Sequence, residues 1–360
     1  MPVYNGARFL RHAVDSILAQ TCADFELLVI NDGSTDQSAV LLNSYDDPRI
    51  RLVDNERNLG LIATLNRGID LARGAYLLRM DCDDISFPER LQRQVDFLDA
   101  NPRVGVCGVW YREFWESGSR VMRCPPDHAG IKCGTLFNPS VGHPSVIIRK
   151  SALLANGLRY DPAFQHAEDY ELWARALDCF EFANIPELLL CYRIHEHQVT
   201  RSCAEQQMQS AGKVRLSLLK KLGLEPDAQE FEIHQMLSAL TRPIRFGFQS
   251  LPVACQLDSI DRWLCRLKEG NDRHAVYPEP HFSRMLIERW VGVCCLNYIA
   301  SGNWSPRLFV SPRLFSLTGS GWPRAFGFAG KRLLGMLGDL RHRYVRPCPV
   351  TDAGKVEASR

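Results

Sequence analysis

Residues 75–84 constrain this chain most. Ala75-Tyr76-Leu77-Leu78-Arg79-Met80 is a largely apolar run, opened by Gly74 and ended by Asp81-Cys82-Asp83-Asp84, with Pro88 a few residues on. A short apolar run between turn formers reads as a buried strand. In open α/β sheets, ligands gather beyond the carboxyl ends of strands. Two carboxylates one residue apart at such an end can aim at one point. That arrangement suits a hard divalent cation carrying a phosphorylated ligand. Acidic turns are also common without any ligand, and the same residues read as a solvated loop in which Asp84 helps cap the next helix.

Strand and helix patterns alternate on both sides of this run. Residues 7–20 carry Leu10, Val14, Ile17 and Leu18 at helical spacing. A strand over 25–30 runs into Asn31-Asp32-Gly33-Ser34-Thr35-Asp36, a stretch dense in turn and cap residues. Helices are expected over 38–45 and 61–72, a strand over 50–53, and a helix starting at Pro88. This alternation predicts an α/β fold, a mostly parallel central sheet flanked by helices. Beyond Pro102 the pattern loosens: strands over 104–110 and 145–148, a loop-rich segment over 113–131, a helix opening at Glu168, strands over 180–184 and 188–192, and a polar loop over 193–200. From about Ser202 strand signals vanish, and helices are expected over 206–222, 227–240, 260–268 and 283–299. The reading is therefore an α/β domain over 1–203 and a mainly helical region over 204–360.

Composition excludes some classes. Apolar residues make up 46% and charged residues 23%, ordinary globular usage. A net charge of +2 is too small for a generic nucleic-acid binder. The 13 cysteines are scattered, without a CxxC pair or metal-ligand spacing, and read as reduced thiols in a cytoplasmic protein. The apolar stretch 290–300 is shorter than the roughly 20 residues a membrane span needs. Residues 322–346 combine Trp322, Phe326 and Leu333 with Arg324, Arg332 and Arg341. A helix packed on its own domain is the preferred reading there, and peripheral contact with an anionic inner membrane face the other.

Three acidic positions then stand out: Asp32, the Asp81/Asp83 pair and Asp169 with Glu168 before it. Singly, each has a bland reading as a turn or helix-dipole residue. Together they describe a cleft for a nucleotide, a metal and a general base.

The ordered set Pro2-Val3-Tyr4-Asn5, Asn31-Asp32-Gly33-Ser34, Asn58-Leu59-Gly60, Asp81-Cys82-Asp83-Asp84, Gly142-His143-Pro144-Ser145 and Glu168-Asp169-Tyr170-Glu171-Leu172-Trp173 closely resembles the family 2 nucleotide-diphospho-sugar glycosyltransferases of the A-type fold. The resemblance covers about residues 1–200. It implies an inverting transfer from a nucleotide-diphospho-sugar, first of all a UDP-sugar, to the hydroxyl of a glycan or lipid-linked acceptor, in surface polysaccharide or glycolipid assembly. By the same resemblance, Pro2, Val3 and Tyr4 wall the base and Asp32 accepts a hydrogen bond from it. Asp81 lies near the ribose, and Asp83 ligates Mn²⁺ or Mg²⁺ on the diphosphate. Asp169 is the general base, with Glu168 beside it. His143, Arg193 and His195 match positions near the active site. Arg193 or His195 would assist with diphosphate charge, and His143 reads equally as structural.

Two departures accompany the match. The family has several apolar residues before Pro-Val-Tyr-Asn, so we expect Met1 to be an internal start or that strand to be lost. Cys82 stands where a small residue is usual, and a cysteine is small enough to be harmless. Among competing readings, a sugar-nucleotide-binding protein without turnover keeps the cleft but not the reaction. A dinucleotide oxidoreductase would need G-x-G-x-x-G, which residues 4–8 do not supply. A nucleotidyltransferase would need a Gly-rich, basic first loop, also missing from the sequence.

Overall fold

The computed structural model describes residues 1–196, 203–240, 257–301 and 311–318. Met1–Ile131 and Pro139–Ala211 form one compact unit. Lys132–Asn138 and the described residues from Gly212 onward form a second.

The first unit holds two sheets. β1 (Pro2–Val3), β2 (Leu27–Asn31) and β3 (Ile50–Asp54) lie parallel in that order. α1 (Ala7–Leu18), α2 (Ser38–Asn43) and α3 (Leu61–Leu71) belong to the same stretch of chain. The helical stripe is realised: Leu10, Val14 and Ile17 are buried and pack with Val3, Leu27, Val29, Leu42 and Met80. Each such side chain taken from water contributes about 1.5–3 kcal/mol.

The second sheet is mixed. β4 (Tyr76–Leu78), β5 (Ile85–Ser86), β6 (Val104–Trp115), β7 (Gly118–Met122), β8 (Ile147–Arg149) and β9 (Glu181–Arg193) have the order β4-β8-β6-β9-β5, with β7 beside β6. Only β6 and β9 run parallel. The α/β class is as read from the sequence, but the parallel arrangement is confined to the first three strands and this one pair. β4, the short apolar run, pairs antiparallel with β8 through Leu77↔Ile148 and Leu78↔Ile147. An apolar run without alternation signals burial on both faces and carries no information on a neighbour's direction.

Residues 113–131, expected as loop, begin as a hairpin. β6 continues to Trp115 and returns as β7 after Glu116-Ser117, and α5 (His128–Thr135) follows. The charges that hid the strand satisfy each other: Glu113, 3% exposed, pairs with Arg120 directly across the hairpin. The two strands expected over 180–184 and 188–192 are one irregular strand, β9, whose pairing with β6 slips between Ile185 and Leu188. α4 (Arg90–Ala100), α6 (Lys150–Ala155) and α7 (Glu168–Ala176) complete the unit.

One buried cation ties these pieces together. Arg90, in the first turn of α4, donates to Ser86 Oγ, Gln94 Oε1 and the carbonyls of Arg79 and Pro144. Gln94 in turn donates to the carbonyls of Cys107 and Ser145. Burial pushes the Arg90 guanidinium down to about 9, and the four acceptors offset part of that desolvation.

The second unit is helical where described. It comprises α8 (Ala204–Lys221) from Gly212 on, α9 (Ala228–Ala239), α10 (Leu257–His274), α11 (His281–Ser301) and α12 (Pro312–Thr318). α9 opens with a capping box, Asp227 and Glu230 each accepting the other's backbone N–H. The basic segment 322–346 and part of the polar loop, 197–200, lie outside the described residues. Among the described residues no helix is long and apolar enough to cross a membrane.

Candidate active site

Parallel β1 and β2 end side by side, so the turns that follow them meet. Asp32 N–H donates to Val3 O at 2.7 Å. Asn5, in the left-handed region at φ 49°, accepts from Thr35 N–H, while its own N–H donates to Ser34 Oγ. Asp36 does more than the capping expected of it. One carboxylate oxygen accepts from Ser38 N–H and the other from Ala7 N–H, stitching the starts of α2 and α1 together. Burial raises its carboxyl, but the Ser38 side chain and these amides together hold it below the usual range.

Asp32 is 4% exposed and held by a turn more than twenty residues away. Its oxygens accept from Asn55 Nδ2 at 2.6 Å, Leu59 N–H at 2.8 Å and Gly60 N–H at 3.0 Å. Gly33 makes this possible. At φ +68° it sits so close to the second turn that a Cβ would lie 2.6 Å from the Arg57 carbonyl carbon. Tyr4 beside this turn is 49% exposed, whereas the Val3 side chain is in the core and Pro2 half-buried. Any wall here is therefore Tyr4, Pro2 and backbone.

The acidic cluster follows β4. Ligand oxygens of Asp81, Asp83 and Asp84 all lie within 4.8 Å of one another. Cys82 packs against the first turn: a Cβ at Gly6 would meet its Sγ at 2.8 Å. The antiparallel pairing of β5 with β9, Ile85↔Cys191, brings the end of β9 to this cluster. Arg193 N–H donates to Asp84 Oδ1 and Arg193 Nε to the Asp83 carbonyl, both at 2.9 Å. His195 Nε2 lies 2.9 Å from Asp83 Oδ2. Phe9 of α1 braces both, with the Arg193 guanidinium 4.3 Å from its ring centre and the His195 ring 5.0 Å away. Asp84 is thus no helix cap. It is wholly buried and anchors β9.

A third arm comes from α7. Glu168 and Asp169 lie in its first turn, Glu168 6% exposed and Asp169 half-buried. Burial and the neighbouring Asp169 charge push the Glu168 carboxyl up to about 7, with Arg79 opposing and Asp81 adding to the shift. Tyr160 is buried within reach of the same charges, Arg79, Asp169, Glu168 and Asp81. Its hydroxyl lies 2.8 Å from His143 Nε2. Burial and Arg79 hold His143 well below its ordinary value, so its ring is neutral. Asn66 of α3 clamps Tyr160 by exchanging hydrogen bonds with its backbone.

The residues gathered near Asp81 suit a hard cation. The donors are all carboxylate oxygens. Asp84 Oδ2 is buried without a hydrogen-bond partner. Burial and mutual repulsion raise the carboxyls of both Asp81 and Asp84, against the pull of Arg79 on Asp81, and a divalent charge would relieve that repulsion. The sequence drew attention to Asp81, Asp83, Glu168, Asp169, Arg193 and His195, and these are brought together. Arg79, Tyr160 and Phe9 were missed. Only Arg79 carried a signal, as a charge inside an otherwise apolar run.

Over residues 1–153 the sequence matches the family described as Glycosyl transferase family 2. It is 30% identical over 238 residues to an uncharacterized glycosyltransferase of Haemophilus influenzae, an alignment covering 62% of this chain and 74% of that protein. It is 31% identical over 210 residues to the O-antigen biosynthesis glycosyltransferase WbnJ of Escherichia coli, covering 56% of this chain and 81% of the relative. The fold is similar to the crystal structure of S. aureus TarS 1–349 in complex with UDP-GlcNAc. The TM-score is 0.55 at 15% identity, over 84% of this chain and 91% of that one. Sequence, fold and the acids collected at the strand ends agree, and the chain belongs to glycosyltransferase family 2.

Proposed function

We propose that this chain is a metal-dependent, inverting glycosyltransferase acting on a nucleotide-diphospho-sugar, with a UDP-sugar as first candidate. The acceptor is the hydroxyl of a glycan or lipid-linked glycan in polysaccharide or glycolipid assembly. The observation that carries this reading is the convergence on one region of Asp81, Asp83 and Asp84 after β4, of His195 after β9, and of Glu168 with Asp169 on α7.

In this reading Asp83, with Asp81 or Asp84, holds Mn²⁺ or Mg²⁺. The cation supplies positive charge to the departing diphosphate, as a Lewis acid does. Tyr4, Pro2 and the Asp32 turn receive the base. Asp169 accepts the proton of the acceptor hydroxyl as its oxygen bonds to the anomeric carbon and the bond from that carbon to the diphosphate oxygen breaks. Arg193 and His195 border the diphosphate. His143, neutral and bonded to Tyr160, supports the cleft floor rather than moving a proton. The O-antigen relative supports the acceptor class, and the UDP-GlcNAc held by TarS agrees with a uridine donor.

The test is a thermal-shift panel of UDP- and GDP-sugars with and without Mn²⁺, followed by an assay for nucleoside diphosphate release and by NMR of the product anomer. Stabilisation by one nucleotide sugar, cation-dependent release and an inverted anomer are the expected results. Binding without release under any acceptor mixture would mean a binding protein, and a retained anomer would sink the inverting mechanism.

A further inference from the structure

Arg79 has no part in the roles above, yet it touches or influences groups on both arms of the site. Its backbone is pinned on both sides: the N–H donates to Val146 O at 3.0 Å, and the carbonyl accepts from Arg90 Nη2 at 3.1 Å. Its side chain is 8% exposed and donates through Nη1 to Asp81 Oδ2. Its Nε–H is buried and has no acceptor. Asp81 and Asp84 of the cation arm act on this guanidinium, and so does Tyr160. The guanidinium acts in turn on Glu168 of the α7 arm and on His143. It is therefore bonded to one of the acids assigned to the cation and close enough to the α7 arm for the charges to act on each other.

The transferred sugar must occupy that ground. Its anomeric carbon is bonded to the diphosphate on the cation side and attacked from the α7 side. We infer that Arg79 is a donor-binding residue whose Nε–H donates to a hydroxyl oxygen of the transferred sugar. The inference rests on the reading of the cleft as a nucleotide-sugar site. A buried donor without an acceptor is costly, more so when charged, so a ligand oxygen supplied there is strongly preferred to a ligand without one. A guanidinium holds its N–H groups in a fixed fork, so fixing Nη1 on Asp81 also fixes where Nε aims. Cation seat and sugar are thereby linked through one rigid group.

The experiment compares binding of UDP and GDP with that of their glucose, galactose, N-acetylglucosamine and mannose derivatives, by calorimetry with Mn²⁺, in wild type and Arg79→Lys. Lysine keeps the charge near Asp81 and loses the fork. The expected result is nucleoside-diphosphate affinity within about twofold of wild type and nucleotide-sugar affinity weakened about tenfold or more, the worth of one charged hydrogen bond. Equal weakening for both ligands would reduce Arg79 to a prop for Asp81, and no change in either would remove it from the site. Both outcomes overturn the inference while the parent reading stands. If no nucleotide sugar binds the wild type, the parent reading fails first and takes this one with it. A measurement on wild type guards against a misfolded variant. With ¹⁵N-arginine labelling, one Nε–H resonance should shift and become protected from exchange on adding the nucleotide sugar and not on adding the nucleoside diphosphate. If no arginine Nε–H resonance behaves so, the inference is overturned.

Discussion

At Asp83 the backbone and the side chain are engaged separately. The carbonyl takes Arg193 Nε, and the carboxylate meets His195. Asp83→Ala should therefore keep the β9 contact and the fold while abolishing Mn²⁺-dependent donor binding, which calorimetry beside an unchanged melting curve would check. Asp169→Asn should retain donor binding and lose turnover by roughly 10²–10⁴-fold. Near-normal turnover in that variant would remove Asp169 as the base. Glu168 offers a stability test. Its folded carboxyl titrates near 7 against an ordinary 4.5, so between these values the folded chain holds a proton that the unfolded chain has released. Stability must then fall as pH rises through that window, by at most about 1.4 kcal/mol per pH unit. Urea denaturation at pH 5 and pH 8 should show a smaller loss in Glu168→Gln than in wild type, and equal losses would contradict the buried, raised carboxyl.

Among the elements, turns and one helix start carry the architecture. Gly33→Ala forces a side chain into a positive-φ position against the Arg57–Asn58 backbone. It should destabilise by about 1–3 kcal/mol and loosen the seat of Asp32, read as a lower denaturation midpoint and weaker nucleotide binding together. Arg90→Leu strips two carbonyls, a hydroxyl and the Gln94 amide oxygen of a buried donor and should cost about 3 kcal/mol or more. These elements were unequally legible. α1 and α3 could be read because local periodicity dictates which side is buried. The acidic end of β4 could be read because apolar run and carboxylates are contiguous. The partner of β4, β8, lies some seventy residues on, and nothing local encodes its direction. The β6–β7 hairpin hid behind Arg112, Glu113, Glu116 and Arg120, whose polarity mimics a loop until Glu113 and Arg120 are seen to neutralise each other across the strands.

For the molecule as a whole, the same limit separates what the sequence conveyed from what it did not. The spacing of the acidic motifs pointed to Asp81 and Asp83 at one strand end, but not to Asp84 joining them, nor to Asp32 being held by the turn at Leu59–Gly60. The buried groups that hold them, Tyr160 on His143 and Asp32 within the Leu59–Gly60 amides, depend on contacts between distant segments. A cation that binds only the folded chain must also stabilise it. Mn²⁺ at a hundred times its dissociation constant should add about 2.7 kcal/mol in wild type and nothing in Asp83→Ala, checked by calorimetry with and without a chelator.

The pairing of β5 with β9 has one more consequence. Arg193 and His195 reach Asp83 and Asp84 because two short strands are counted off against each other, Ser86 on Leu190 and Ile85 on Cys191. The histidine's address is thus written in residue number. Deleting a single amino acid between Leu190 and Arg193 would turn Arg193 to the opposite side of the sheet and draw His195 back by one residue. Such a frame slip should silence the enzyme as thoroughly as removing the acids themselves, with every acid still present.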